Sequence, residues 1–158
     1  MAAHRDARTG PGPGMMAGMR ISARADYAIR VLLELAADTT RPITCEAVAA
    51  GQDIPARFIK AIMRDLRQAG LVRSQRGCEG GYWLARTARE ITVRDAVVAV
   101  DGEFLSVRGE PRPALSYHGT AAGLAPFWSG VETGLDALLR ATTIANLLTG
   151  AAPARVAT

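Results

Sequence analysis

Apolar residues recur at three- and four-residue steps along several stretches of this chain, and at two-residue steps in one. In ISARADYAIRVLLELAAD the positions Ala25, Ala28, Leu32, Leu35 and Ala36 fall on one face, which predicts a helix capped by Ser22. Pro42 closes the loop that follows. ITCEAVAA predicts a short helix with Thr44 as its cap and Glu46 in the first turn, where the helix dipole favours a carboxylate. Gly51 and Asp53 mark a tight turn. A second, longer helix begins at Pro55 and stops at Gly70, the usual asymmetry of helix ends. Ile59, Ile62, Leu66 and Ala69 recur on its core side, and Arg57, Lys60, Arg64, Arg67 and Gln68 on the other.

The period then changes. LVRSQR alternates as a strand does, GCEGG forces a turn that needs positive φ, and YWLA returns with Tyr82 and Leu84 on one face. A short helix, a turn, a longer helix with a basic outer face and then a hairpin make a winged helix-turn-helix. Thr92 and Asp95 approximate a capping box for a helix that buries Val93, Val97 and Val100. Periodicity is lost from Gly102 to about Gly119. It resumes in a long helix from about Ala122 to Ala141, where Trp128, Val131, Leu135 and Leu138 form a stripe widened by Leu124, Phe127 and Leu139. A stripe this apolar is expected to bury itself against a second chain, with Phe127, Trp128, Val131, Leu135 and Leu138 at the dimer interface. Thr142 or Thr143 caps a short last helix.

The expected fold is therefore mainly α with a small β-hairpin wing. Residues 1–18 form a Gly/Pro/Ala-rich leader and 19–101 the DNA-binding domain. Residues 102–121 are a loop, 122–149 the dimerisation helices and 150–158 a tail.

Charge adds to this picture through its placement. The net charge is +4, yet the segment from Arg57 to Arg94 holds nine basic residues against three acidic ones, which leaves the rest of the chain at −2. Positive charge concentrated on the helix-turn-helix and wing is the electrostatic footprint of phosphate-backbone binding. Cys45, Cys78, His4 and His118 are too few and too dispersed for a zinc site or a disulfide framework. No phosphate-cradling loop or nucleophile elbow occurs, so no enzyme is expected. No apolar run reaches the roughly 20 residues of a membrane span, and the location expected is cytoplasmic.

MRISARADYAIRVLLELA, IPARFIKAIMRDLRQAGLVRSQRGCEGGYWLAR and EITVRDAVVAVDG together resemble the Rrf2 family of bacterial transcription regulators, the group that includes IscR, NsrR and CymR. The resemblance spans roughly Met19 to Leu148. It implies a homodimer on palindromic operators, with the recognition helix in the major groove and the wing in the minor groove. By position, Arg57, Lys60 and Ala61 match the major-groove readers, with Arg64 beside them on the same face. Arg76 and Gly77 match the family's wing pair, and Gly80 adjoins them in the turn. Thr44 and Ser74 match phosphate contacts.

Cluster-binding members carry three cysteines in the loop after the VDG-like segment. Here that loop, EFLSVRGEPRPALSYHG, has none. A second subgroup uses Glu and His on its first helix, where this chain has Asp26 and Arg30. No iron–sulfur cluster is expected. Cys78, at the wing tip near Arg76, is either a redox switch or a small residue at a variable position, and Cys45 is expected to be packed. A ligand pocket near Tyr117, Phe127 and Trp128 is a further option. The alternative function is a winged-helix adaptor that meets an acidic protein without binding DNA.

Overall fold

The Ser22 hydroxyl accepts from the Ala25 amide at 3.0 Å and opens α1 (Ala23–Ala37), as its sequence predicts. In this computed structural model, which describes residues 21–102, 106–107, 110–111 and 116–151, α1 is the central element. Its buried stripe is Ala25, Ala28, Val31, Leu32 and Leu35. Val31, outside the expected set, is fully buried, and Ala36 is only half-buried. The leader lies outside the described residues.

The Thr44 hydroxyl accepts from the Ala47 amide and caps α2 (Cys45–Gln52), and Asp53 closes it in the left-handed region at φ 51°. After Pro55 comes α3 (Ala56–Gln68), whose core face is Ile59, Ile62, Met63 and Leu66. Two details correct the expected face. Met63 is fully buried, and Ala69 is exposed. Ala69 has left the stripe because it is the C-cap; Gly70 at φ 74° turns the chain, and the Leu71 amide reaches back to the Leu66 carbonyl at 2.9 Å. Leu71 is buried in its place.

The hairpin pairs β1 (Val72–Gln75) antiparallel with β2 (Gly81–Leu84), in the register Val72↔Leu84 to Gln75↔Gly81. Tyr82 and Leu84 both pack against the core, as their alternation predicts. A third segment was not expected. Ile43, in the loop before α2, exchanges backbone hydrogen bonds with Tyr82 at 3.0 and 2.8 Å, so the hairpin is anchored to the helix-turn-helix. A Cβ on Gly81 would lie 2.8 Å from the Ile43 backbone, and one on Gly80 would lie 2.5 Å from the Gln75 carbonyl oxygen. These two glycines are required by the hairpin's own packing, ahead of any approach to phosphate.

Thr92 and Asp95 complete a capping box on α4 (Val93–Asp101), which buries Val93, Ala96, Val97 and Val100. Within the stretch read as a loop, β3 (Ser106–Val107) pairs with β4 (Glu110–Pro111), and a short 3-10 turn follows at Gly119–Ala121. The long helix α5 (Leu124–Ala141) ends as predicted and starts two residues later than expected. Thr143, rather than Thr142, caps α6 (Ile144–Thr149). That last helix departs from its expected grouping with α5. Ile144 is fully buried in the same core as α1 and α4, and the Ile144 and Ala145 amides bond to the Ile91 and Ala88 carbonyls at 2.9 and 3.0 Å. The α6 segment is thus built into the body that carries the wing.

Candidate nucleic-acid interface

The exposed side of α3 and the hairpin meet around one hollow of about 410 Å³, lined by Thr44, Cys45 and Glu46 from α2, Lys60 from α3, and Gln75, Arg76, Gly77, Cys78, Gly80, Gly81 and Tyr82 from the wing. Five of the nine residues expected to touch DNA, Thr44, Lys60, Arg76, Gly77 and Gly80, therefore border a single feature. Ser74 joins the same surface by another route. The Arg67 guanidinium donates to the Ser74 hydroxyl at 3.5 Å, a long contact between the last turn of α3 and β1. Arg57 lies over the Phe58 ring at 4.8 Å, and Phe58 packs in turn against Tyr27 of α1. Ala61 is half-buried, the small residue between the exposed cations.

Charge pairing divides the cations of the basic segment, and Arg73 and Arg89 are exposed and in no ion pair among the described residues, along with the α3 and wing-tip members that follow. Among the described residues, Arg57, Lys60, Arg67 and Arg76 have no carboxylate within ion-pair distance, and all four are exposed. Arg64 is different. Its Nε sits 3.4 Å from Asp65, which also holds Arg24 of α1. Farther along the basic segment, Arg86 pairs with Asp95 and Arg94 with Asp136. The positive segment seen in the sequence is thus divided. Arg57, Lys60, Arg67 and Arg76 stay open, while Arg64, Arg86 and Arg94 are paired with carboxylates.

The wing has a second face. Arg73 lies over the Trp83 ring at 5.2 Å, and the Trp83 indole N–H donates to the Gln75 side chain at 2.9 Å, which stiffens the two strands across their register. Sequence reasoning missed both contacts, although Arg73↔Trp83 becomes a directly facing pair as soon as the hairpin register is known.

The two cysteines differ. Cys78 is exposed at the wing tip. Cys45 is half-buried, and its thiol is pushed above the ordinary range by burial and then by the Glu46 charge; contact with the Tyr82 hydroxyl and the nearby Lys60 charge act the other way. Tyr82 is likewise raised, first by its burial and then by Cys45. The expected packing of Cys45 is therefore seen on its inner side only.

Both cysteines of the chain sit at the α2–wing hollow, and no group of three or more His, Cys, Asp or Glu among the described residues can hold a metal. The two α1 positions that match a cluster-ligating subgroup are occupied with each other: Arg30 donates to Asp26 at 2.5 and 2.9 Å, and also to the Gln52 carbonyl.

Helix α5, packed on α4, shows two kinds of surface. Leu139 is buried, and Leu135 packs against the core. Phe127, at 56 % relative exposure, and Leu138, at 40 %, are open, while Trp128 and Val131 are half-buried. Phe127 and Trp128 stack edge-on with centroids 5.0 Å apart. The expected interface residues thus form a strip along the outside of α5, except for the inward half of Leu135.

A family model described as "Iron-dependent Transcriptional regulator", the Rrf2 model, matches residues 21–150. A Mycobacterium tuberculosis protein, Rv1287, named as an HTH-type transcriptional regulator, is 39% identical over 140 residues, covering 88% of this chain and 87% of its own. Among solved structures, T. potens IscR superposes with a TM-score of 0.69 at 27% identity, covering 89% of this chain and 94% of that one. CymR, the global cysteine regulator of B. subtilis, superposes with a TM-score of 0.72, covering 83% and 97%; at 23% identity that likeness shows the fold.

Proposed function

The chain belongs to the Rrf2 family of transcriptional regulators, which are not enzymes, and from that premise we propose that it represses transcription as a homodimer on a palindromic operator. The observation that carries this reading is the shared hollow, where an α3 lysine, the α2 cap and the wing-tip arginine converge, with Glu46 in the same lining but in no ion pair with either cation. Lys60, Arg57 and Ala61 present the major-groove surface, with Arg64 at its edge. Arg76, flanked by Gly77, enters the minor groove, where narrow tracts attract arginine. Thr44 already accepts a bond from its helix, so its hydroxyl hydrogen remains to donate to a phosphate oxygen. Ser74, held by Arg67, supplies a second backbone contact.

The strip Phe127, Trp128, Val131, Leu135 and Leu138 is assigned to the twofold interface. Covering it removes aromatic and aliphatic surface from water, each large side chain contributing about 1.5–3 kcal/mol when fully buried. The protein works without an iron–sulfur cluster, since its donor set does not fit one. Its place of action is the cytoplasm; no helix among the described residues is long and apolar enough to cross a membrane. Thiol chemistry at the wing is the proposed signal.

Selection of bound duplexes from a random library, followed by titration at several salt concentrations, tests this reading. The expected result is an inverted repeat and a steep fall in affinity as salt rises, reflecting released counterions. Enrichment of an asymmetric site by a sedimenting monomer, or no duplex binding at any salt, would refute it. The second result is the one an acidic-partner adaptor gives.

A further inference from the structure

Both cysteines of this chain, 33 positions apart in sequence, border the same hollow that collects the DNA-facing residues. Cys45 is the first residue of α2 and is held from the inside by Tyr82, whereas Cys78 stands exposed on the tip between Gly77 and Gly80. The only tie between these two regions on the backbone is the Ile43↔Tyr82 bridge among the described residues, and it sits at the base of the wing. The tip beyond it is joined to β1 through Gly77 at φ 108°. The tip is a turn closed by the Gly80 amide donating to the Gly77 carbonyl at 2.9 Å, and it carries Cys78 beside the hollow that Cys45 also lines.

We propose that Cys45 and Cys78 form a reversible intramolecular disulfide that closes the hollow and takes Arg76 and Lys60 out of DNA contact. The oxidant is a hydroperoxide. The exposed Cys78 thiolate attacks the peroxide oxygen, the O–O bond breaks, and Cys78 becomes a sulfenic acid as the peroxide leaves as its alcohol or water. Cys45 sulfur then attacks the Cys78 sulfur, the S–O bond breaks, and water departs with the Cys45 proton. Two thiols have lost two electrons and two protons, and the peroxide has gained them. The half-buried Cys45 suits the resolving role, since the first oxidation needs the accessible sulfur.

This inference deepens the proposed thiol control of DNA binding and rests on that reading for its consequence, though the bond itself can be observed without DNA. The full chain, reduced and then treated with hydrogen peroxide, is alkylated, digested and mapped by mass spectrometry. A Cys45–Cys78 cross-linked peptide is expected, with the intact monomer lighter by two hydrogen atoms and restored by dithiothreitol. Duplex affinity measured by fluorescence anisotropy is expected to fall roughly tenfold or more on oxidation, the scale of losing a base or phosphate contact, and to recover on reduction. Cys45→Ser and Cys78→Ser should each keep reduced-state affinity in peroxide.

Cys78 found only as sulfenic or sulfonic acid, or disulfides found only between chains, would overturn the pairing. A mapped disulfide with unchanged affinity would overturn the closure. If the reduced protein binds no duplex at all, the regulator reading fails, and the mass map still decides whether the two thiols pair.

Discussion

Two helices of this protein leave one face uncovered, and what each leaves uncovered differs in kind. Helix α3 buries Ile59, Ile62, Met63 and Leu66 and turns cations outward. Helix α5 buries Leu139, leans Leu135 on the core and turns Phe127 and Leu138 outward. Exposed charge without counter-charge is stable in water and waits for an anion. Exposed hydrocarbon is costly in water and is relieved by any apolar cover. The first surface selects a partner by charge and shape, the second by shape and dryness. Reading α3 as a nucleic-acid face and α5 as a twofold interface follows from that difference.

The largest effect is expected on the α5 side. Phe127→Asp combined with Trp128→Asp places two carboxylates where the dimer would close. If α5 is the interface, sedimentation shows a monomer and operator affinity falls by about 10²–10⁴, the gain normally provided by linking two binding modules. Helicity should move little, because neither residue belongs to the buried core, while the thermal midpoint should fall to that of the separated subunit and lose its dependence on protein concentration. A dimer that persists through the double change would transfer the interface elsewhere.

Next in size is the base-facing charge on α3. Lys60→Ala is expected to cost about 1–3 kcal/mol of operator binding and to relax preference at one base position. Arg67→Ala is expected to act differently, since its guanidinium leans on Ser74 at the junction of helix and wing. Its loss should weaken all duplexes alike and reduce the salt slope by about 1. If both variants shift specificity equally, the division between reading and phosphate contact is wrong. Arg64→Ala should fall below either, because Asp65 already offsets part of its charge.

How much of this was legible in the sequence varies with distance along the chain. The α3 faces, the Thr44 and Thr92 caps and the two hairpin strands are local, set by a period or a cap within a few residues. Met63 was missed because a face counted strictly from Ile59, Ile62 and Leu66 skips the position beside them. Ala69 was misplaced because the stripe was extended one residue past the helix end. The Ile43↔Tyr82 bridge is a single pair with no alternation to announce it. Docking of α6 beside α1 depends on Thr143 meeting Thr92, which no local pattern encodes. Charge pairing was the least legible of all: Arg24 finds Asp65 and Arg94 finds Asp136 at separations of 41 and 42 residues. The basic segment therefore looked uniform in sequence and is not.

That non-uniformity supplies the smallest effect and the sharpest control. Arg86 belongs to the same positive stretch as Lys60, but its guanidinium donates to Asp95 at 3.1 Å, the carboxylate that also accepts the Thr92 amide in the α4 capping box. Removing it should change stability by no more than about 1 kcal/mol, since both partners are well exposed and such pairs contribute little. Operator affinity and the salt slope should stay at the wild-type values. Arg140→Ala, across the body on Asp136, should behave in the same way. Asp136 itself is held below the ordinary carboxylate range, first by Arg140 and then by Arg94. The stability it adds is therefore full above the unfolded value near 4 and declines as pH falls through the lower folded value. Arg140→Ala should flatten that acid limb while leaving DNA binding untouched. Equal losses of affinity in Arg86→Ala and Lys60→Ala would mean that net charge alone attracts the duplex, and that the open and paired arginines do not differ in function.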